Sequence, residues 1–503
     1  MYWYNKEKPA PHPASGQEYS CGISQKELKD VFANCADFET RGIDPGLAGG
    51  EALTVCWLDG IVSAKDVSEC VLRPLTEVYR SGETADAAAL MERLLSGGVY
   101  SCSVKKCGTA DELLSALTHG HCAIVFESLG AALSFEVRSS NVRSIGEPTL
   151  EKSIKGAKDS FVETLRTNTA LVRRRICTPK LKVVENAVGR KSHTNVAVMF
   201  IDGVVDPALV EETCRRLDAL DVDALVSTGT LEEYIVDKPL SPFPQLLHTE
   251  RPDRFAAYLL EGRVGILADG LPVGLVLPVT FAEFMRVGDD RANHFSYAAV
   301  LTLLRYLALF IALYLPALYV AVALYHQEMI PTGLLISIIE AKQNVPFSTA
   351  LEVTGMLIAF SLLQEAGLRL PNPVGDTVSI IGALIVGQSA VEAQVVSPIA
   401  IIVVAFSGIA CYTLPSQDMG AAVRLSRFAL LLAAMAAGLF GVFAASCLLL
   451  LHLAGIDSYG VNYTAPLTDG RPWGLIRLLF LPPKFMDKFR DPLLNTPDKR
   501  RQK

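Results

Sequence analysis

Between positions 296 and 456 the chain places only 5 basic and 7 acidic residues in 161 positions. A water-exposed surface needs charge along its whole length, so a run this poor in charge reads as a membrane part. The flanks differ. Residues 1–295 hold 32 Lys+Arg and 41 Asp+Glu, and residues 457–503 hold 9 and 5. The split predicts an acidic soluble front, a membrane middle and a basic tail. It excludes a single soluble enzyme domain, a disordered chain and a nucleic-acid binder resting on overall basicity.

Tyr297–Tyr325 is the clearest span, with Arg305 as its one charge. As a helix it reaches ~43 Å, against a hydrocarbon core of ~30 Å. Arg305 is expected to snorkel, Tyr297, Tyr306, Tyr319 and Tyr325 to sit at interfaces, and Pro316 to kink the helix. Arg424–Leu453 is the second span, and Arg424 and Arg427 at its start mark a cytoplasmic end. The tail from Arg471 is also basic, and both ends of one helix share a side only if the helix re-enters. Met1–Ser20 is polar and Pro-rich, without a signal peptide. The front is therefore expected in the cytoplasm, with both termini inside and about four spans.

Between these spans the apolar signal is broken. Glu340 and Lys342 follow Pro331–Ile339, and Leu351–Leu370 carries Glu352, Glu365 and Arg369. Val378–Leu414 is interrupted by Gly382, Gly387, Gln388, Glu392, Gln394 and Pro398. Broken polar helices persist in membranes where they are buried in protein or line water. Glu340, Glu352 and Glu365 are thus intramembrane polar candidates. At 100° per residue, Thr377, Ile381, Leu384, Gln388, Glu392 and Val395 share one helix face, the candidate pore lining. In a symmetric assembly Glu392 would form a ring of carboxylates that attracts cations, with Leu384 or Val395 as a constriction. The alternative is an interhelix or intersubunit hydrogen bond from Glu392.

The front half repeats one pattern. Val55–Ser63 reads as a buried strand ending in Asp59-Gly60, and Val198–Asp206 repeats it at Asp202-Gly203. Helical stretches follow at 64–80 and 207–220. Gly120–Phe126 with Ala131–Arg138, and Gly262–Ala268 with Leu271–Thr280, read as matching β-hairpins. The fold class is an α/β cytoplasmic domain of two duplicated lobes plus an all-α polytopic membrane domain. Its divisions are a flexible extension (1–45), a first lobe (46–150), a linker helix (151–185), a second lobe (186–290), the membrane domain (291–456) and a basic tail (457–503). In the linker, Phe161, Leu165, Val172 and Ile176 form an apolar stripe. Arg173, Arg174 and Arg175 are candidates for contact with a partner or lipid headgroups, or else a solvated face. Nine of the eleven cysteines lie in the front without C-x-x-C or zinc spacing, so reduced thiols are expected and no metal site. No dinucleotide, Walker, nucleophile-elbow or metalloprotease motif occurs, which argues against an enzyme and leaves no cofactor to place.

Three stretches resemble the A subunits of GerA-type nutrient germinant receptors of spore-forming bacteria. They are Gly156–Ile176 (GAKDSFVETLRTNTALVRRRI), Ser241–Phe281 with PFPQLLHTERPDR and LLEGRVGILADGLPVGLVLPVTF, and Pro316–Pro415 with HQEMIP, EAGLRLPNPVGDTVSIIGALIVGQSAVEAQVVSP and IACYTLP. The opening Ala157-Lys158-Asp159-Ser160 departs from the family's Pro-Arg-Glu-Gly form. The resemblance implies a multi-pass protein of the spore inner membrane with a cytoplasmic N-terminal domain. It implies a ring-forming homo-oligomer that passes monovalent cations when nutrient binds, beside a transporter-like B subunit and a lipoprotein C subunit. A close sporulation paralogue shares the architecture. A non-conducting scaffold and a secondary transporter are the other functional readings, with membrane lipid a contact in each and nucleic acid in none.

Overall fold

The structure is a computed structural model that describes residues 23–44, 52–76, 86–96, 102–139, 146, 148, 151, 155–369, 387–468 and 483–502. The first lobe runs α1 (Gln25–Val31), β1 (Phe38–Ile43), β2 (Leu53–Leu58), α2 (Ala87–Leu95), β3 (Val104–Cys107), α3 (Ala110–Thr118), β4 (His121–Phe126) and β5 (Ala131–Glu136). The strands form one sheet in the order β1-β2-β4-β5-β3, every pair antiparallel. Alternation decides its layers. Cys122, Ile124 and Phe126 of β4 pack with Leu90, Met91 and Leu94 of α2. Ala123 and Val125 point to the other face, where Leu28 of α1 and Leu113 and Leu117 of α3 cover them. The expected helix after Asp59-Gly60 begins at Ala64 but turns π-helical over Val67–Leu72.

The second lobe runs β6 (Leu181–Val188), β7 (Thr194–Ile201), α5 (Pro207–Asp218), α6 (Thr228–Ile235), β8 (Leu247–Thr249), α7 (Pro252–Glu261), β9 (Val264–Ala268) and β10 (Gly274–Leu277), after a preceding helix, Leu165–Arg173, here α4. Its order is β6-β7-β9-β10-β8, again wholly antiparallel, the same order as in the first sheet. Both expected hairpins are present as β4–β5 and β9–β10. Gly265 of β9 lets the Phe255 ring lie on the sheet, since a Cβ there would sit 2.1 Å from Phe255 Cζ. Two expected limits move. β6 starts at Leu181, inside the expected linker, and β1 lies in the expected flexible extension. β1 is an edge strand with no fully buried residue, so it carries no apolar alternation to read.

The linker helix α4 spans 9 residues, far less than the expected stretch. Asn168 explains its entry. Its side chain accepts from Val162 N at 2.8 Å and donates to Val162 O at 2.6 Å, holding the preceding chain extended. Arg173 corrects the expected outward contact. It is 2% exposed and pairs with Asp37, which is 0% exposed.

The longer helices that follow are α8 (Phe295–Tyr325), α9 (Thr332–Lys342), α10 (Thr349–Arg369), α11 (Pro398–Tyr412) and α12 (Gln417–Ala454). Among the described residues, α8 and α12 are long and apolar enough to cross a membrane. Pro316 lies within α8 without ending it. Instead of one straight rod, α12 is two helices joined by a reversal at Ala437 (φ −143°, ψ 20°) and Gly438 (φ 60°, ψ −140°). A Cβ on Gly441 would lie 2.0 Å from the Ala433 carbonyl oxygen, eight residues back, which a continuous helix would place ~12 Å away. The tip rests on the end of α8, where Tyr325 Oη donates to Met435 O at 2.6 Å. Both outer ends meet the second lobe: His248 Nδ1 is 2.9 Å from Asp418 Oδ2, and Ser241 Oγ is 2.9 Å from His452 Nε2. The run thus folds back on itself, and its two outer ends lie on the same lobe.

Candidate coupling junction and polar helical sites

The second lobe meets the helices through a packed set of charges that sequence reading missed. Arg251, at the start of α7 and 2% exposed, donates to Asp253 at 3.0 and 2.7 Å and to Asp289 at 2.9 Å. Next to Asp289, Asp290 receives Arg305 of α8 at 2.6 and 2.9 Å. The adjacent acids before α8 thus supply the partner of Arg305. Glu283, buried beside them, accepts from Tyr258 Oη at 3.1 Å and Arg286 at 3.0 Å, with Arg263 at 3.3 Å. Burial alone would raise its carboxyl, but Arg286, Arg263 and Arg291 outweigh that and hold it well below the usual carboxylate range. The Arg263 guanidinium also lies 5.0 Å from the centre of the Tyr258 ring. The available signals were Asp289-Asp290 and Arg251-Pro252-Asp253 flanking apolar runs.

A second contact links the lobe to α12. His248 faces Asp418 on one side and Glu232, at 3.5 Å, on the other. Burial would lower its pKa, yet the bond to Asp418 and the charges of Glu232, Asp418 and Glu151 raise it above the ordinary 6.5. A cavity of about 280 Å³ opens beside this contact, between Glu232, Lys238, Phe243 and Asp418.

Within the helices, each polar candidate takes a different position. Glu352, in α10, is buried; Lys342 of α9 lies 3.2 Å from Oε1, and the Ser397 amide donates to Oε2 at 3.0 Å. Ser397 caps α11, so Glu352 fastens three helices and faces no open path. Glu340 and Glu365 are exposed. Arg427 is 1% exposed; Nη1 donates to Ser407 at 2.8 Å, and Ser407 Oγ reaches Ala312 O at 3.3 Å.

Of the pore-lining candidates, Thr377, Ile381 and Leu384 lie outside the described residues. Gln388 and Glu392 are both exposed on one helical turn, with Gln388 Nε2 donating to Glu392 Oε1 at 2.8 Å. Val395 leaves that face. Gln394 takes φ 55° and the Ala390 carbonyl accepts from Val395 N at 2.9 Å, which closes the helix before Pro398 opens α11. Arg174 and Arg175 are half-buried and also turned inward, Arg174 to Ser139 O at 3.0 Å and Arg175 to Asp159 at 2.6 Å.

The profile described as "Bacillus/Clostridium GerA spore germination protein" matches residues 26–492. Spore germination protein KA of Bacillus subtilis (strain 168) is 36% identical over 476 residues, covering 95% of this chain and 87% of that protein. Spore germination protein GerLA of Bacillus cereus is 34% identical, covering 94% of this chain and 95% of its own. An uncharacterized membrane protein, YfkQ, of Bacillus subtilis (strain 168) is 36% identical over 88% of this chain and 85% of its own. The crystal structure of the N-terminal domain of the A subunit of the Bacillus megaterium spore germinant receptor GerK3 is 30% identical, with a TM-score of 0.41, over 51% of this chain and 93% of that one. On the match across residues 26–492 and these identities, the chain belongs to the GerA spore germination protein family of Bacillus and Clostridium.

Proposed function

We propose that the chain is a receptor A subunit that forms an oligomeric, nutrient-gated cation channel and starts ion release in germination. It works in the spore inner membrane with its lobes in the cytoplasm, beside a transporter-like B subunit and a lipoprotein C subunit. The observation that carries this reading is the contrast among its carboxylates. Glu352 and Asp290 are committed to partners inside the chain, whereas Glu392 and Gln388 point away from the chain's own packing. A carboxylate presented outward between apolar helices is costly unless an assembly surrounds it or a wet path passes it. In a ring of copies it draws monovalent cations.

α8, one pass through the broken region from α10 to α11, and the two arms of α12 are read as about four crossings, an even number that keeps both chain ends on one side. The two lobes are read as copies of one unit, a reading supported by their shared strand order. The tail contacts the second lobe, as Arg490 Nε donates to Leu260 O at 3.0 Å, and this supports placing both chain ends on one side. Gating needs no covalent chemistry. Nutrient bound to a partner must favour the open arrangement, and the Arg305–Asp290 and His248–Asp418 contacts are the levers between lobe and helices. The test is cation flux through the reconstituted receptor carrying Glu392→Gln. The reading expects altered selectivity with assembly intact; wild-type selectivity and conductance would remove Glu392 from the path.

A further inference from the structure

We propose that residues 483–502 form a hook that rests on an anionic lipid surface beside the entry of α8. This rests on the reading of α8 as a membrane crossing. The segment is built, and it is held in place. Phe489 and Arg500 form an antiparallel bridge, with Arg490 N donating to Lys499 O and Arg501 N to Lys488 O, both at 2.9 Å. Leu494 and Thr496 are buried, and Arg490 is tied to Leu260 of the second lobe.

What the hook presents is unusual for a water-facing surface. Phe485, Met486 and Phe489 are 73%, 63% and 61% exposed. Lys488, Lys499 and Arg500 are exposed among them. Large apolar side chains interleaved with cations match an interface where rings enter the acyl boundary and cations meet phosphate.

Its position supports that occupant. Asp487 pairs with Arg501 at 2.9 Å, Arg501 lies 3.7 Å from Glu261, and Glu261 pairs with Arg291, four positions before the first residue of α8. Charge supports it as well. The front carries an excess of acid that an anionic surface repels, so a cationic contact at the entry of α8 offsets that repulsion locally.

The test uses the full-length protein in nanodiscs of phosphatidylglycerol, with p-benzoylphenylalanine in place of Phe489. The same probe in place of Phe310, exposed on α8, reports separately on the crossing. Irradiation should give lipid adducts at both positions. At 489 alone, the yield should fall at least about fivefold when Lys488, Lys499 and Arg500 are all changed to Glu, or when the lipid is phosphatidylcholine. Lipid adducts at 310 with none at 489 would overturn the hook while leaving the crossing intact. Adducts at 489 to a second copy or another protein would overturn the lipid occupant. No lipid adduct at 310 would overturn the crossing, and the hook with it.

Discussion

Arg173 of α4 and Asp37, just before β1, form an ion pair closed off from solvent, with Nη2 2.7 Å from Oδ1. It binds the linker to the first lobe across 136 positions of sequence. Removing one partner leaves a bare buried charge, so Asp37→Ala is expected to destabilise the lobe by about 3–5 kcal/mol. Asp37→Leu and Arg173→Leu should each cost as much, and the two leucines together should cost less than either alone. Thermal unfolding of the four proteins as a double-mutant cycle checks this, and an additive cycle would contradict the pairing.

Gly438 holds the reversal of α12 in a φ/ψ region essentially restricted to glycine, and a Cβ there would lie 3.0 Å from Tyr325 and His326. Gly438→Ala is therefore expected to cost about 1–3 kcal/mol. Gly355→Ala, in an open part of α10, should be neutral or slightly stabilising. Melting of the detergent-solubilised chain distinguishes them; equal midpoints for the two variants would refute the reversal.

The His248 contact predicts a pH dependence with a definite sign. The pKa of His248 is raised in the folded protein, so its contribution is complete below the ordinary 6.5 and is lost as pH climbs through the raised value. The start of α12 should loosen from the lobe on going from pH 6 to about pH 9. Hydrogen exchange of residues 417–425 measures it. Exchange in His248→Gln, corrected for intrinsic rate, should not change over that window, and an unaltered pH response in the variant would assign the effect elsewhere.

Glu352 and Glu392 should respond oppositely. Glu352→Ala strands Lys342 and the cap of α11, with an expected loss of about 3–5 kcal/mol. Glu392→Gln alters an exposed group and should shift stability by no more than about 0.5 kcal/mol. Thermal melts and size-exclusion profiles of the two variants decide between these roles, before any flux is measured.

Much of the fold was legible in the residues. The strand patterns around Asp59-Gly60 and Asp202-Gly203 became the inner strands of two sheets, since a continuous apolar run reports burial on both faces. The candidate sites were legible only as residue types. Glu352, Glu365 and Glu392 look alike in an apolar run, and nothing local tells which has Lys342 beside it. Arg173, Arg174 and Arg175 read as one basic cluster, yet they turn to Asp37, Ser139 and Asp159.

The amino-acid order alone determined the division into an acidic front, a charge-poor middle and a basic tail, because burial of charge is costly wherever it falls. It also determined the matching strand patterns and the family. Only the tertiary structure decided where each remaining charge goes and how often the long apolar run turns back. Ion-pair partners lie tens to hundreds of positions apart, and a single glycine in an alanine-rich helix gives no local sign of a reversal. That reversal is specified by what packs around it, Tyr325 and His326 at the end of α8.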